Sequence, residues 1–208
     1  MKTQVNKTHY NFNKYVDKDR WMSYYYQIGL INKLNTKNIL EIGAGINFLK
    51  KYFSDIKINY KTLDIAKELN PDILGSVTKI PLKANSFDLV CAFQVLEHLP
   101  FNKFEKCLKE MLRVAKKDIL ISLPYNRIQF FKFELKIPLI PKIHIVFNLP
   151  LFFKKFKFDG EHYWEIGAKG YSLRKIKKIM GRYFKIKEII HPYENKYHLF
   201  FILEINKK

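Results

Sequence analysis

The sequence predicts an α/β chain, a doubly wound and mostly parallel sheet covered by helices on both faces and closed by an antiparallel end. Three observations carry this. Short apolar runs alternate with segments of helical period. The first run, "NILEIG", passes directly into a glycine-rich turn and then into the helical pattern "INFLKKYF". The chain ends in a helix, "YSLRKIKKIM", followed by two strand-like runs whose connection holds Pro192 and Asn195, which reads as a hairpin.

The elements follow in order. "DRWMSYYYQIGLINKLN" predicts an N-terminal helix over 17–35, with Asp17 or Asp19 near its start. "INYKTLDI" is a second strand ending at Asp64, and "DILG" a short third. "SFDLVCAFQVLEHL" contains a fourth strand, a turn and a helix start. "NKFEKCLKEMLRVA" places Phe104, Leu108, Met111 and Leu112 on one helical face. "DILISLP" is a fifth strand closed by Pro124.

Residues 125–160 stand apart, being aromatic, apolar and cationic, with Pro138, Pro141 and Pro150. Those prolines exclude one long helix and argue against extension of a sheet. The segment follows the fifth strand, on the edge where open α/β sheets bind ligands, so it is expected to form a lid whose Phe and Leu side chains line an acceptor pocket. The alternative is that its "FNLPLFFKKFKF" run rests on a membrane surface.

Composition sets outer limits. With 208 residues, 48% of them hydrophobic, the chain suits one domain with its own core and is not a disordered polymer. Cys91 and Cys107 do not make a disulfide framework, and the polar N-terminus lacks a signal-peptide core, so a cytoplasmic protein is expected. The formal net charge of +19 attracts anions, whether nucleic acid, anionic lipid or a phosphorylated metabolite. It also fits lysine accumulated on solvated faces.

The turn after the first strand carries the chemistry. Glycine there lets the backbone turn tightly and approach a ligand. A dinucleotide fingerprint requires glycine where Phe48 stands, and the Gly-Lys-Ser/Thr of a phosphate-binding loop is absent. What remains is Glu41, Gly43, Gly45 and Asn47, with Asp64 at the end of the next strand. Asn tolerates left-handed backbone geometry, so Asn47 is compatible with a ligand-binding turn.

This pattern resembles the class I S-adenosylmethionine-dependent methyltransferases, in particular their small type 11 group. The likeness runs through "LEIGAG", "TLDIA", "PDILGSVTKIPLKANSFDLV", "VLEHL", "ISLPY" and the final helix and hairpin. It implies a Rossmann-like sheet of seven strands with an antiparallel C-terminal strand, one methyltransferase domain over 1–208, and S-adenosylmethionine as cofactor. It also implies roles: the Gly43–Gly45 backbone at the amino-acid end, Asp64 on the ribose hydroxyls, Ile65 against the adenine, Ser76 and Val77 at the adenine edge, and Phe93 and Gln94 beside the methionine moiety. Many relatives carry Asp where Ser76 stands.

The implied reaction is methyl transfer to an O or N acceptor on a small molecule or a surface-glycan sugar. A general base for an oxygen acceptor has two candidates, His98 in "VLEHL" and His162 in "DGEHYWEIG". Tyr163 and Trp164 read as packing residues, and Glu165 as a cap or tether of the last helix. Small-RNA 2′-O-methyltransferases place Glu-x-x-Glu-His metal ligands after this strand, with a further His downstream. Here Gln94 replaces the first carboxylate, ahead of Glu97, His98 and His162, which leaves the metal open. The competing functions are therefore an RNA methyltransferase, acting on a 2′-oxygen or a base, and a catalytically silent binding module.

Overall fold

The computed structural model describes residues 17–141, 143–150 and 153–206. Its main sheet has seven strands: β1 (Asn38–Ile42), β2 (Asn59–Asp64), β3 (Ile73–Leu74), β4 (Phe87–Phe93), β5 (Ala115–Pro124), β8 (Phe184–Ile190) and β9 (His198–Ile205). Their order across the sheet is β3-β2-β1-β4-β5-β9-β8. β1 to β5 pair in parallel, while β9 runs antiparallel to both β5 and β8. The expected fold is the observed one.

Alternation along each strand divides the core into two layers. Leu40, Ile42, Val90 and Ala92 face one side, where helix α3 (Phe104–Val114) adds Phe104, Cys107, Leu108 and Met111 and helix α4 (Leu173–Met180) adds Ile176 and Met180. Ile39, Leu89, Cys91 and Phe93 face the other, under Leu30 and Ile31 of helix α1 (Lys18–Leu34) and Leu49 and Phe53 of the short helix α2 (Phe48–Phe53). Both cysteines are buried and unpaired.

Asp17 caps α1, its side chain accepting from Arg20 N at 2.7 Å, an interaction worth about 1 kcal/mol. The helix is then fastened to the β8–β9 connection. Asn195 Nδ2 donates to Asp19 O at 2.8 Å, Tyr26 donates its hydroxyl to Glu194, and Ser23 Oγ meets His198 Nδ1 at 2.7 Å. Trp21 and Tyr24 close over Phe48, with ring centroids 5.5 and 4.3 Å away. These contacts place α1 beside the glycine turn.

The insertion, expected to form a lid, is built of two strands. It forms a separate antiparallel hairpin of β6 (Arg127–Leu135) and β7 (Ile143–Pro150). Pro138 and Pro141 sit in the connection and Pro150 ends β7, positions where a missing N–H costs no ladder bond. Ile128, Phe131, Phe133, Leu135, Ile143, Ile145, Phe147 and Leu149 are all exposed. A bulge between Gln129 and Phe131 shifts the side-chain phase and brings these residues onto one face, opposite Arg127 and Lys132. Lys142, Leu151 and Phe152 of this segment lie outside the described residues.

Candidate functional site

The sheet reverses direction of winding between β1 and β4, and ligands of such sheets bind outside the carboxyl ends of the strands at that point. Gly43 follows β1 at φ 71° and donates its N–H to Leu63 O at 2.8 Å, which fixes the turn to the end of β2. A Cβ on Gly43 would stand 2.4 Å from Val95 Cγ2, so both the conformation and the space demand glycine. Gly45 (φ 53°) and Asn47 (φ 58°) continue in left-handed geometry. Asn47 Nδ2 donates to Leu69 O at 2.8 Å, while its Oδ1 is buried without a partner among the described residues.

Asp64 ends β2 next to this turn. Its Oδ1 accepts from Ala66 N at 2.9 Å, and burial raises its pKa against the backbone N–H groups that lower it. An ionised carboxylate has further lone pairs to offer two hydroxyls. Ile65 is half-buried beside it and Val77 is buried, while Ser76 shares a 2.9 Å hydrogen bond with Thr78. Glu41 behaves differently. It is buried under the turn, where Tyr60 donates to Oε2 at 3.1 Å, and burial pushes its pKa up to about 8.

At the end of β4, Phe93 is buried and Gln94 takes φ 55°. A non-glycine residue in that region is sparsely populated and concentrates at functional sites. The Gln94 amide is satisfied with its oxygen toward Leu123 N and Ser122 Oγ, at 3.2 and 3.1 Å, and its nitrogen 3.2 Å from Glu97 Oε1. Glu97 is fully buried, and burial raises its pKa to about 7 although the His162 and Arg20 charges oppose the shift. Its Oε2 has no partner among the described residues.

The two segments that offered a base come together here. Tyr163 N donates to Glu97 O at 2.9 Å, and His98 Nδ1 lies 3.0 Å from Glu161 O. The His98 and His162 rings then meet edge to face, their centroids 4.8 Å apart. His162 Nδ1 lies 3.0 Å from Glu165 Oε1, which also accepts a short hydrogen bond from the Tyr197 hydroxyl. Asn126 Nδ2 donates to Glu165 Oε2 at 2.8 Å. Burial disfavours the His162 cation, but the Glu165 hydrogen bond and the charges of Glu97, Glu165 and Asp159 outweigh it, so its pKa is raised. Glu165 thus orients His162 and does not cap α4, whose N-cap is Ser172. Ligand atoms of Glu97, His98 and His162 lie within 4.8 Å of one another, as do those of Asp159, His162 and Glu165.

The model of the family described as "Methyltransferase domain" matches residues 40–122, from β1 through most of β5. A solved S-adenosylmethionine-dependent methyltransferase from Clostridium acetobutylicum superposes with a TM-score of 0.58 at 11% identity, covering 96% of both chains. Residues 40–122 match the methyltransferase-domain family, and the chain shares the fold of solved S-adenosylmethionine-dependent methyltransferases. Magnesium protoporphyrin IX methyltransferase from Synechocystis, solved with bound S-adenosylhomocysteine, shares the fold with a TM-score of 0.61 at 11% identity, over 90% of this chain and 84% of that one. The uncharacterized protein MJ0638 of Methanocaldococcus jannaschii is 31% identical over 134 residues, 61% of this chain. The match covers 56% of that protein, so the chain spans little more than half the length of the curated relative it matches.

In this methyltransferase-like fold, Gly43, Gly45, Asn47, Asp64, Phe93 and Gln94 line one sheet edge, joined by Ile65, Ser76 and Val77 after β2 and β3. Trp164 is a packing residue, fully buried with Nε1 donating to Leu99 O at 3.0 Å. Tyr197, Asn126 and Arg20 escaped the reading of the sequence. Tyr197 and Asn126 flank strands with no motif of their own, and Arg20 is one cation among 38.

Proposed function

We propose that the protein transfers a methyl group from S-adenosylmethionine to an oxygen or nitrogen acceptor on a small molecule or a surface-glycan sugar. The observation that carries this reading is the His162–Glu165–Tyr197 cluster beside the end of β4, at the same sheet edge as the glycine turn and Asp64. The cofactor, when bound, supplies an electrophilic methyl on a sulfonium. The chain would bind and orient it, with the Gly43–Gly45 backbone receiving the amino-acid end and Asp64 accepting from the ribose hydroxyls. Asn47 Oδ1, a buried acceptor without a partner among the described residues, suits the methionine ammonium. Ile65, Ser76 and Val77 would border the adenine, and Phe93 and Gln94 the methionine.

Alignment of acceptor and methyl supplies much of the rate in such a displacement. For a hydroxyl acceptor, Glu165 holds His162 by Nδ1, leaving Nε2 to take the acceptor proton. The resulting imidazolium is stabilised by Glu165, while His98 packs against the ring and restricts it.

A second reading is favoured by the proximity of Glu97, His98 and His162, which suits a divalent ion and, with it, an RNA 2′-oxygen acceptor. Label transfer from methyl-labelled cofactor to fractionated cell extract separates the two. Label in small metabolites or glycans, unaffected by a chelator, supports the first. Label in RNA that requires added Mn²⁺ or Mg²⁺ supports the second. Cofactor binding with no label transferred to any fraction supports a silent binding module.

A further inference from the structure

The β6–β7 hairpin is amphipathic in an unusual sense for a surface element. Four cross-strand pairs, Ile128 with Leu149, Phe131 with Phe147, Phe133 with Ile145 and Leu135 with Ile143, cover one face. Their exposure runs from 38% at Leu135 to 53% at Phe131. The connection between the strands adds exposed Ile137, Leu139 and Ile140. The other face looks back to the domain. Lys132 Nζ stands 3.9 Å from the Tyr193 ring, Arg127 Nε donates to Lys196 O at 3.0 Å, and Arg127 Nη1 meets His191 Nδ1 at 3.1 Å. The polar side thus holds the hairpin to the β8–β9 connection and directs eight large apolar side chains away from the body. Contiguous apolar area of this kind marks an interaction surface.

Charge selects the partner. Residues 125–160 carry seven Lys and Arg against two Asp and Glu. Exposed Lys136 stands at the connection, and exposed Lys154, Lys155 and Lys157 follow β7 between exposed Phe153 and Phe158. A second copy of this chain would bring two such cationic segments together within a net charge of +19 each. An anionic bilayer would bury the apolar row and neutralise the lysines at once. No helix among the described residues is long and apolar enough to cross a membrane. The outer edges of β6 and β7, unpaired among the described residues, keep a two-stranded sheet in the hydrated headgroup zone and out of the hydrocarbon.

We propose that this hairpin docks the protein on an anionic lipid surface, apolar face inward. The hairpin rises from the end of β5, the sheet edge that holds the cleft, so docking presents the cleft to acceptors held at the bilayer. That consequence rests on the methyl-transfer reading, whereas the docking does not, and it is measured without cofactor.

The test is co-sedimentation of the full chain with vesicles of phosphatidylcholine and phosphatidylglycerol, about three to one, against neutral phosphatidylcholine vesicles. Partitioning is expected to be roughly tenfold or more higher on the anionic vesicles and to fall with added salt. Phe131→Ser with Phe147→Ser should lower it by about tenfold or more at unchanged circular dichroism. A Phe147→Trp variant should blue-shift its emission on anionic vesicles. Partitioning that is absent, or unaffected by the paired Ser substitutions, overturns the proposal. So does a dimer in sedimentation equilibrium that those substitutions dissolve, since a second copy then covers the face. A blue shift caused by S-adenosylhomocysteine alone, without vesicles, also overturns it and returns the hairpin to the role of a lid.

Discussion

His98 and His162 stand edge to face with ring centroids 4.8 Å apart, although one follows β4 and the other precedes α4. The contact joins the two segments that each offered a base. His162 is anchored on a carboxylate, that of Glu165. Under the proposed reaction, His162 is the proton acceptor and His98 packs against its ring.

His162→Asn is expected to lower turnover on a hydroxyl acceptor by roughly 100-fold or more, the usual range for loss of a general base. Cofactor affinity, read by calorimetry, should change little. Equal loss of cofactor binding and turnover would assign His162 to structure.

The pH profile of kcat/KM reads the same assignment. A base works only when neutral, so activity should rise as pH climbs through the His162 pKa, which lies above the ordinary 6.5. Glu165→Gln removes the anion that raises it and should move this acid limb to lower pH. A limb unmoved by Glu165→Gln would locate the titrating group elsewhere.

Glu41 should make stability fall with pH. Its pKa is raised from 4.5 to about 8 by burial, so the folded chain holds a proton that the unfolded chain releases between those values. Stability from this group is complete below about pH 4.5 and is lost as pH rises through 8. Urea unfolding of Glu41→Gln should match the parent at low pH and exceed its stability above pH 8. Identical slopes of stability against pH would contradict a protonated Glu41.

Gly43→Ala meets both a φ of 71° and a Val95 methyl 2.4 Å from the new Cβ. A cost of about 1–3 kcal/mol to the turn is expected, with cofactor affinity falling in parallel. Val95→Ala on the same chain should recover the steric part alone.

Much of this was legible in the sequence because its signals are local. The glycine turn needs left-handed geometry at three positions, and only Gly43, Gly45 and Asn47 satisfy it cheaply, so the residues announce the conformation. The parallel pairing of β1 to β5 followed from strand–helix alternation. The hairpin was equally local, since "IQFFKFELK" and "IHIVFN" each carry period two once one bulge is allowed. Its prolines pointed away from strands because their places in a connection and a strand end depend on where the turn falls. The partners of Glu165 had no local signal at all. Tyr197 and Asn126 reach it only because β9 pairs with β5 and Tyr125 bridges to Ile166.

The most direct test of the account is calorimetric titration of the purified chain with S-adenosylhomocysteine, alongside Asp64→Ala. Micromolar binding is expected for the parent. Loss of two hydrogen bonds to a carboxylate should weaken the variant by roughly 100-fold. No heat with the parent, or equal affinity in the Asp64→Ala variant, would contradict a cofactor seated on Asp64 and the glycine turn.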